Sequence, residues 1–128
     1  MIVIDTHVMV WWTSSIPSQR SMAARRSIVD SDAVAFSAVS VWEIGILARR
    51  GRIDLHLDID DWLREVTEVH SLEVLPVTLD IAVRASELHE ILRDPIDSII
   101  TATALTHNVP LVTKDDRIRK SGVVETIW

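Results

Sequence analysis

Short apolar runs recur along this chain, and each alternates with a longer segment of helical character. Such runs are typical of strands that are buried on both faces of a parallel sheet. The runs are MIVID, AVAFS, LEVLPV, PLVT and VVETI. Because strands alternate with helices throughout, the sequence predicts an α/β fold with a parallel sheet and helices on both of its faces.

Six segments between these runs carry the composition and end signals of helices. In the second segment we expect Met22, Ala23, Ile28 and Val29 to supply the apolar face. The third segment reaches a C-terminal stop at Gly51, after two arginines. The six segments are THVMVWW, SQRSMAARRSIVD, SVWEIGILARRG, DIDDWLREVTEVH, TLDIAVRASELHEIL and PIDSIITATALTHN.

The five tryptophans stand out because the chain has no tyrosine and one phenylalanine. Trp11 and Trp12 are adjacent, so on a helix they point about 100° apart and can hardly fill the same core site. One of them is therefore a candidate for exposure and for a contact anchor. For Trp42 and Trp62 we expect packing in the core.

Composition limits the class of protein. A chain of 128 residues is long enough for one domain with a real core, and we expect a single domain over residues 1–128. The absence of cysteine excludes disulfides and zinc-thiolate sites. No apolar run approaches the roughly 20 residues of a membrane span. The N-terminus lacks the basic start of a signal peptide, so we expect a cytoplasmic protein.

Four carboxylates fall where a parallel sheet would gather them. In such sheets, sites form beyond the carboxyl ends of the strands. Asp5 ends the first apolar run, and Asp115 follows PLVT by two residues. Glu43 lies early in the helix after AVAFS, and Asp97 lies in the first turn of the helix before PLVT. The fold would therefore bring the four acids to one edge of the sheet.

Each acid also has a purely structural explanation. Asp5 can cap the first helix, and Asp115 can cap a short helix through DDRIRK or belong to a turn. Glu43 can close a capping box with Ser40, because SVWE matches the S-x-x-E pattern.

The stretch RDPIDSII raises the same choice for Asp97. Asp94 is a favoured N-cap and Pro95 a favoured first helical residue. Asp97 would then meet the positive end of the helix dipole. Helix chemistry alone can thus account for all three residues.

These structural explanations do not say why all four acids fall at strand ends and at the starts of neighbouring helices. Carboxylates packed together raise each other's pKa, which is costly without a cation. Oxygen ligands with no cysteine and no H-x-x-x-H pattern suit Mg²⁺ or Mn²⁺. The net charge of −6 argues against coating nucleic acid by charge alone, but it leaves room for a nucleic-acid enzyme with a metal-filled acidic site.

Over nearly its whole length the sequence resembles PIN-domain ribonucleases, and most closely the VapC-type toxins of type II toxin–antitoxin systems. The resemblance is carried by MIVIDTHVMVWW, SAVSVWEIGILARRGRI, RDPIDSIITATAL and LVTKDDRI, in that order. It implies a three-layer α/β/α sandwich with a central parallel sheet of four to five strands. Asp5, Glu43, Asp97 and Asp115 would then form the acidic quartet.

The resemblance also assigns supporting roles. Thr6 and Thr113 would place hydroxyl groups near the metal ions or their waters, and Asp116 is a further acid beside Asp115. The family often has a basic residue after the second aspartate of D-P-x-D, where this chain has Ser98. The best remaining candidates for phosphate contact follow Asp115 directly, and they are Arg117, Arg119 and Lys120.

The function implied is that of a Mg²⁺- or Mn²⁺-dependent endoribonuclease toxin. Its family forms homodimers and is held inactive by an antitoxin whose basic side chain reaches the acidic site. One alternative is a catalytically inactive PIN-like module that binds a partner, although acids at all four quartet positions argue against it. Another is a phosphoryl-aspartate hydrolase, which needs an aspartate where this chain has His7.

Overall fold

The computed structural model describes residues 1–14 and 21–128. In that part of the chain, five strands alternate with seven α-helices. The strands are β1 (Ile2–Ile4), β2 (Val34–Ser37), β3 (Leu72–Leu75), β4 (Leu111–Val112) and β5 (Thr126–Ile127). The helices are α1 (Thr6–Thr13), α2 (Met22–Asp30), α3 (Ala38–Arg49), α4 (Ile59–Arg64), α5 (Leu79–Leu92), α6 (Pro95–Thr106) and α7 (Asp116–Ser121). A π-helical turn, Glu65–Val69, continues α4.

The five strands form one parallel sheet in the order β3-β2-β1-β4-β5. The predicted α/β class and parallel sheet are therefore confirmed. Strand β1 lies at the centre, and the chain leaves it toward β2 on one side and returns as β4 on the other. In open α/β sheets, ligands bind beyond the carboxyl ends of the strands at such a change of direction. Candidate site residues follow both β1 and β4.

The apolar core lies on both faces of the sheet, because side chains of a strand alternate between the faces. Ile2 and Ile4 of β1 join one buried cluster with residues of α1, α2, α3 and α4. Val3, between them, joins a second cluster with residues of α5, α6 and α7. The sheet is thus covered by helices on either side, as in the expected three-layer sandwich.

Most helices begin at a side-chain cap, as the sequence signals indicated. Thr78 caps α5, and Gly51, with φ of +66°, follows the end of α3 and donates to the Ala48 carbonyl. Helix α3 starts at Ala38 and not at Ser40, because the Ser37 hydroxyl accepts from the Val39 N–H. No helix in residues 1–14 or 21–128 is long and apolar enough to span a membrane.

Two core predictions were wrong. Of the four residues predicted for the apolar face of α2, only Ile28 is buried, together with Ala24. Met22 and Val29 are 80% and 64% exposed, and Ala23 is exposed as well. The pair that packs inward is spaced i, i+4, whereas Met22 and Val29 point away from that face, roughly 120–140° from its centre. Trp42 is 61% exposed, contrary to expectation, while Trp62 is buried as expected.

Candidate active site

Asp5 is a buried carboxylate at the centre of the sheet edge. It directly follows β1, and its backbone N–H donates to the Val112 carbonyl at 3.1 Å, which anchors it to β4. Its Oδ1 atom caps α1 by accepting from the Val8 N–H at 2.8 Å. Burial raises the pKa of Asp5, although a hydrogen bond from the Thr113 hydroxyl and the one from Val8 work in the opposite direction. The cap proposed from the sequence is therefore present, but it does not account for an acid held this far from water.

Thr113 joins the two acids that follow the central strands. Its hydroxyl oxygen accepts from the Asp115 N–H at 3.0 Å, while the hydroxyl also bonds to the Asp5 carboxylate. Asp115 caps α7 by accepting from the N–H groups of Arg117 and Ile118, at 2.9 and 3.1 Å. Both of those bonds end on Oδ1, so the second carboxylate oxygen of Asp115 is not used by the cap.

Asp97 is a second acid of the site whose pKa is raised, although it is less buried than Asp5. Its N–H donates to Oδ1 of Asp94 at 2.9 Å, so Asp94 caps α6 as the sequence indicated. Burial raises the pKa of Asp97 to about 7, with further increases from the charges of Asp94, Asp115, Glu43 and Asp5 in that order. The charges of the other three residues of the predicted quartet therefore all reach Asp97.

Glu43 approaches this edge from α3 and is partly buried. The capping box that would have explained it structurally is wrong, because Ser37 is the cap and Ser40 lies inside the helix. Ser40 is instead fully buried and accepts a hydrogen bond from the Thr6 hydroxyl at 3.0 Å. That bond ties α3 to the start of α1, and so fixes the helix of Glu43 relative to Asp5.

The three basic residues predicted to contact RNA lie on α7, beside Asp115. Arg117 donates to the Leu92 carbonyl at 3.1 Å, which ties α7 to the end of α5 just before the turn that carries Asp94. Arg119 pairs with Asp116 across 3.4 Å, and both side chains are largely exposed. Lys120 is exposed. Contact of these residues with RNA stays a prediction, as does a supporting role for Asp116.

Two residues near the site were not predicted to belong to it. Asp94 was interpreted only as a cap, yet its charge is the largest Coulombic contribution to the raised pKa of Asp97. The signal was available, since an N-cap and the third helical residue always share the first turn. Lys114 lies between Thr113 and Asp115, and its ammonium group sits over the Trp11 ring. Ser98, where the family often has a basic residue, is buried and donates to the Asp94 carbonyl.

The donor set fits a hard divalent cation, because every acid offers carboxylate oxygen and the site holds no sulfur. In residues 1–14 and 21–128, however, no three histidine, aspartate or glutamate side chains already stand close enough together to hold a metal ion. Repulsion between unpaired carboxylates favours keeping them apart while no cation is bound. Binding one cation through three of these acids would require their side chains to turn inward.

The model of the PIN domain family matches residues 2–123. This chain belongs to the PIN-domain family. It is 36% identical over 119 residues to Ribonuclease VapC22 of Mycobacterium tuberculosis, an alignment that covers 92% of this chain and 89% of that protein. The VapC-type resemblance is thereby confirmed.

Solved structures support the same fold. VapBC2 from Rickettsia felis, bound to a promoter DNA fragment, matches with a TM-score of 0.72 and 16% identity, over 98% of this chain and 97% of that one. A toxin–antitoxin complex from Klebsiella pneumoniae matches with a TM-score of 0.70 and 19% identity, over 100% and 97%. At these identities the likeness shows the fold, and it confirms the predicted PIN-like α/β/α architecture.

Proposed function

We propose that this PIN-domain protein is a Mg²⁺- or Mn²⁺-dependent endoribonuclease and the toxin of a type II toxin–antitoxin system. The observation that carries the proposal is the partly buried position of Asp97 near acids from three other parts of the chain, where burial first and then the charges of those acids raise its pKa to about 7. Burial of mutually repelling carboxylates at the site edge of a parallel sheet is costly in a protein with no cation to bind. The ribonuclease name of the VapC22 relative supports the choice of reaction.

The metal-holding residues in this proposal are Asp5, Glu43, Asp97 and Asp115. When bound, a divalent cation would make an attacking water more acidic and would neutralise charge on the phosphate and on the leaving oxygen. The carboxylates would hold the cation at the sheet edge, and one of them would accept the proton of the attacking water. Their own repulsion would fall at the same time, because each would face positive charge.

Neighbouring side chains would keep these acids in place. Thr113 holds Asp5 and Asp115 through one hydroxyl group. Thr6 holds the start of α1 against Ser40 on α3. Arg117 holds α7 against the end of α5, two residues before Asp94. Such outer contacts orient metal ligands and are commonly worth about 10- to 100-fold in activity.

The partners in this proposal are single-stranded or loop RNA, a second copy of the chain, and an antitoxin with a basic side chain that enters the acidic site. The toxin–antitoxin complexes among the structural relatives support the antitoxin. Arg117, Arg119 and Lys120 would contact phosphate, with Arg117 doing so beside its contact to the Leu92 carbonyl. We place the reaction in the cytoplasm, with residues 1–128 acting as one domain.

The test is cleavage of single-stranded RNA by the purified protein in Mg²⁺, in Mn²⁺ and in excess chelator. We expect internal cleavage products with either metal and none in chelator. Intact RNA under all three conditions, from protein that melts cooperatively, would contradict an active nuclease and favour the inactive binding module. Equal cleavage with and without chelator would contradict the metal dependence.

A further inference from the structure

One face of α3 lines a groove on the surface of the protein. The groove lies between α3 and the N-terminal half of α6, and it encloses about 510 Å³ of space. We call it the α3 groove. The α3 residues that line it are spaced i, i+3, i+4, i+7, i+8 and i+11, which is the spacing of one helix face. They are Val39, Trp42, Glu43, Ile46, Leu47 and Arg50.

The centre of this face is apolar and lies outside the core. Ile46 and Leu47 are partly buried, and Trp42 is 61% exposed. None of the three belongs to either buried cluster formed by the described residues, whereas Ile44, on another face of α3, is fully buried in one of them. Trp42, which was expected in the core, is therefore part of an apolar surface, and such surfaces mark contacts with other proteins.

Opposite charges flank the apolar centre along α3. Glu43 precedes it and Arg50 follows it, seven residues later and about 10 Å along the helix. The midpoint between the two charges falls between Ile46 and Leu47. Arg50 is exposed and has no ion-pair partner in the part of the chain that the structure describes. Its charge is therefore available to a carboxylate from outside the chain.

An antiparallel copy of the same helix face complements this arrangement completely. In a two-fold symmetric contact, a residue i of one copy meets a residue j of the other, and the reverse contact also forms. With the axis between Ile46 and Leu47, Arg50 of each copy meets Glu43 of the other. The two apolar centres then cover each other, with a Trp42 side chain at either end.

Other occupants complement the groove less well. An RNA strand would bring phosphate groups against Glu43 and would leave the apolar centre without an apolar partner. A basic peptide would pair with Glu43 but would meet like charge at Arg50, which lowers affinity. A second copy of the chain matches the apolar centre and both charges, so the observations favour it.

We propose that the α3 groove is the surface through which two copies of this chain pair, with their α3 helices antiparallel and Arg50 of each copy beside Glu43 of the other. The pairing surface rests on the proposed function, in which a second copy is one of the partners. Because Glu43 belongs to the proposed metal-holding quartet, each copy supplies a guanidinium group at the edge of the other copy's active site.

Sedimentation equilibrium in chelator, over a wide range of protein concentration, measures the pairing. Trp42→Gln tests the apolar surface, and Arg50→Glu and Glu43→Arg each reverse one of the two charges. Leu79→Gln is the apolar control, because it removes an 86% exposed side chain from α5. Arg49→Glu is the charge control, because it reverses the charge of an exposed neighbour that does not line the groove. Thermal melts confirm that each variant is folded.

We expect wild type and both controls to form dimers of similar affinity. Trp42→Gln should weaken dimerisation about tenfold or more, as the loss of an interfacial tryptophan does. Arg50→Glu and Glu43→Arg should each stay monomeric at concentrations where wild type is dimeric, because like charges then meet at both ends of the contact.

Mixing the two charge reversals tests the antiparallel arrangement itself. In a 1:1 mixture of Arg50→Glu and Glu43→Arg, opposite charges meet again at both ends, so mixed dimers should form. Arg49→Glu has the same net charge as Arg50→Glu, yet it should form no mixed dimers with Glu43→Arg. A fluorescent label on Glu43→Arg identifies mixed dimers directly.

The surface would be overturned by wild type that stays monomeric, by dimers that Trp42→Gln and both reversals leave intact, or by reversals that fail to pair when mixed. Weaker binding of RNA or of a basic peptide by Trp42→Gln, with dimerisation unchanged, would assign the groove to that ligand instead. RNA cleavage by monomeric wild type would preserve the proposed function without this surface. Dimers that behave as expected but leave RNA intact in Mn²⁺ would preserve the surface and contradict the nuclease.

Discussion

Two helices of this protein begin with the same pattern, an aspartate followed three residues later by another. Asp58 and Asp61 begin α4, and Asp94 and Asp97 begin α6. In both helices the first aspartate caps the helix by accepting from the N–H of the second, at 3.0 Å in α4 and 2.9 Å in α6. The capping hydrogen bond is therefore the same at the start of both helices.

Their surroundings differ completely. Asp61 is exposed and pairs with Arg64 across 3.4 Å. Asp97 is partly buried, has no ion-pair partner within residues 1–14 and 21–128, and faces carboxylates from three other parts of the chain. The comparison teaches that capping chemistry and a role in a site are not exclusive. What distinguishes the two starts is tertiary, namely which other acids the fold brings near the second aspartate.

The largest difference between Asp97 and Asp61 is expected in the rate of RNA cleavage. Asp97→Asn removes a metal ligand while keeping side-chain size, so we expect the initial rate in Mn²⁺ to fall on the order of a hundredfold or more. Asp61→Asn removes the same charge from the matching position of α4 and should cleave like wild type. Rates are measured on one RNA substrate with the three proteins side by side. Equal rates for Asp97→Asn and wild type would remove Asp97 from the site.

A smaller difference is expected in how stability depends on pH without metal. The pKa of Asp97 rises from an ordinary 3.8 to about 7 in the folded state, so the folded protein holds a proton that the unfolded chain has lost. Stability should therefore fall as pH rises between those values. After allowance for solvent screening of a partly exposed group, the loss is on the order of 2 kcal/mol.

Urea denaturation in chelator at pH 5 and pH 8 checks this expectation. The fall in the free energy of unfolding should be smaller in Asp97→Asn than in wild type, whereas Asp61→Asn should keep the wild-type fall. The same fall in all three proteins would mean that Asp97 is an ordinary solvated acid in the folded state.

The smallest effects should be equal in the two helices, because they come from capping alone. Asp58→Ala and Asp94→Ala each lose a cap, at a cost of about 1 kcal/mol and a few degrees in melting temperature. This equality is expected at pH 5, where Asp97 is protonated. At pH 8 Asp94→Ala should cost less than Asp58→Ala, because it also removes a charge that repels Asp97. Thermal melts in chelator at both pH values measure the difference, and identical costs at pH 8 would argue against that repulsion.

Much of the fold could be predicted from the sequence, because the strands of a doubly covered parallel sheet are apolar on both faces. MIVID and AVAFS correspond to β1 and β2, and a helix follows each of them as expected. The errors arose where a pattern was short. Helix α2 has few turns, so its sequence did not show which residues face the core, and Met22 and Val29 were assigned to the core wrongly. Two nearby serines, Ser37 and Ser40, made the first residue of α3 ambiguous.

Part of the candidate site could also be predicted, because its acids fall next to elements that the sequence identifies. Asp5, Asp97 and Asp115 stand next to strand ends or in a first helical turn, so topology alone brings them together. The contact between Trp11 and Trp128 could not be predicted, since the two residues are far apart in the chain and meet only when β5 pairs with β4. Nor could the sequence show that Arg117 reaches the Leu92 carbonyl, a contact between separate helices.

The central claim is that the acids around Asp97 hold a divalent cation, and calorimetric titration with Mn²⁺ tests it most directly. Wild type, Asp97→Asn and Asp61→Asn are titrated at pH 7.5 without RNA. The account predicts saturable binding of equal affinity in wild type and Asp61→Asn, and binding at least about tenfold weaker in Asp97→Asn. Equal Mn²⁺ affinity in all three proteins, or no binding by folded wild type, would contradict it.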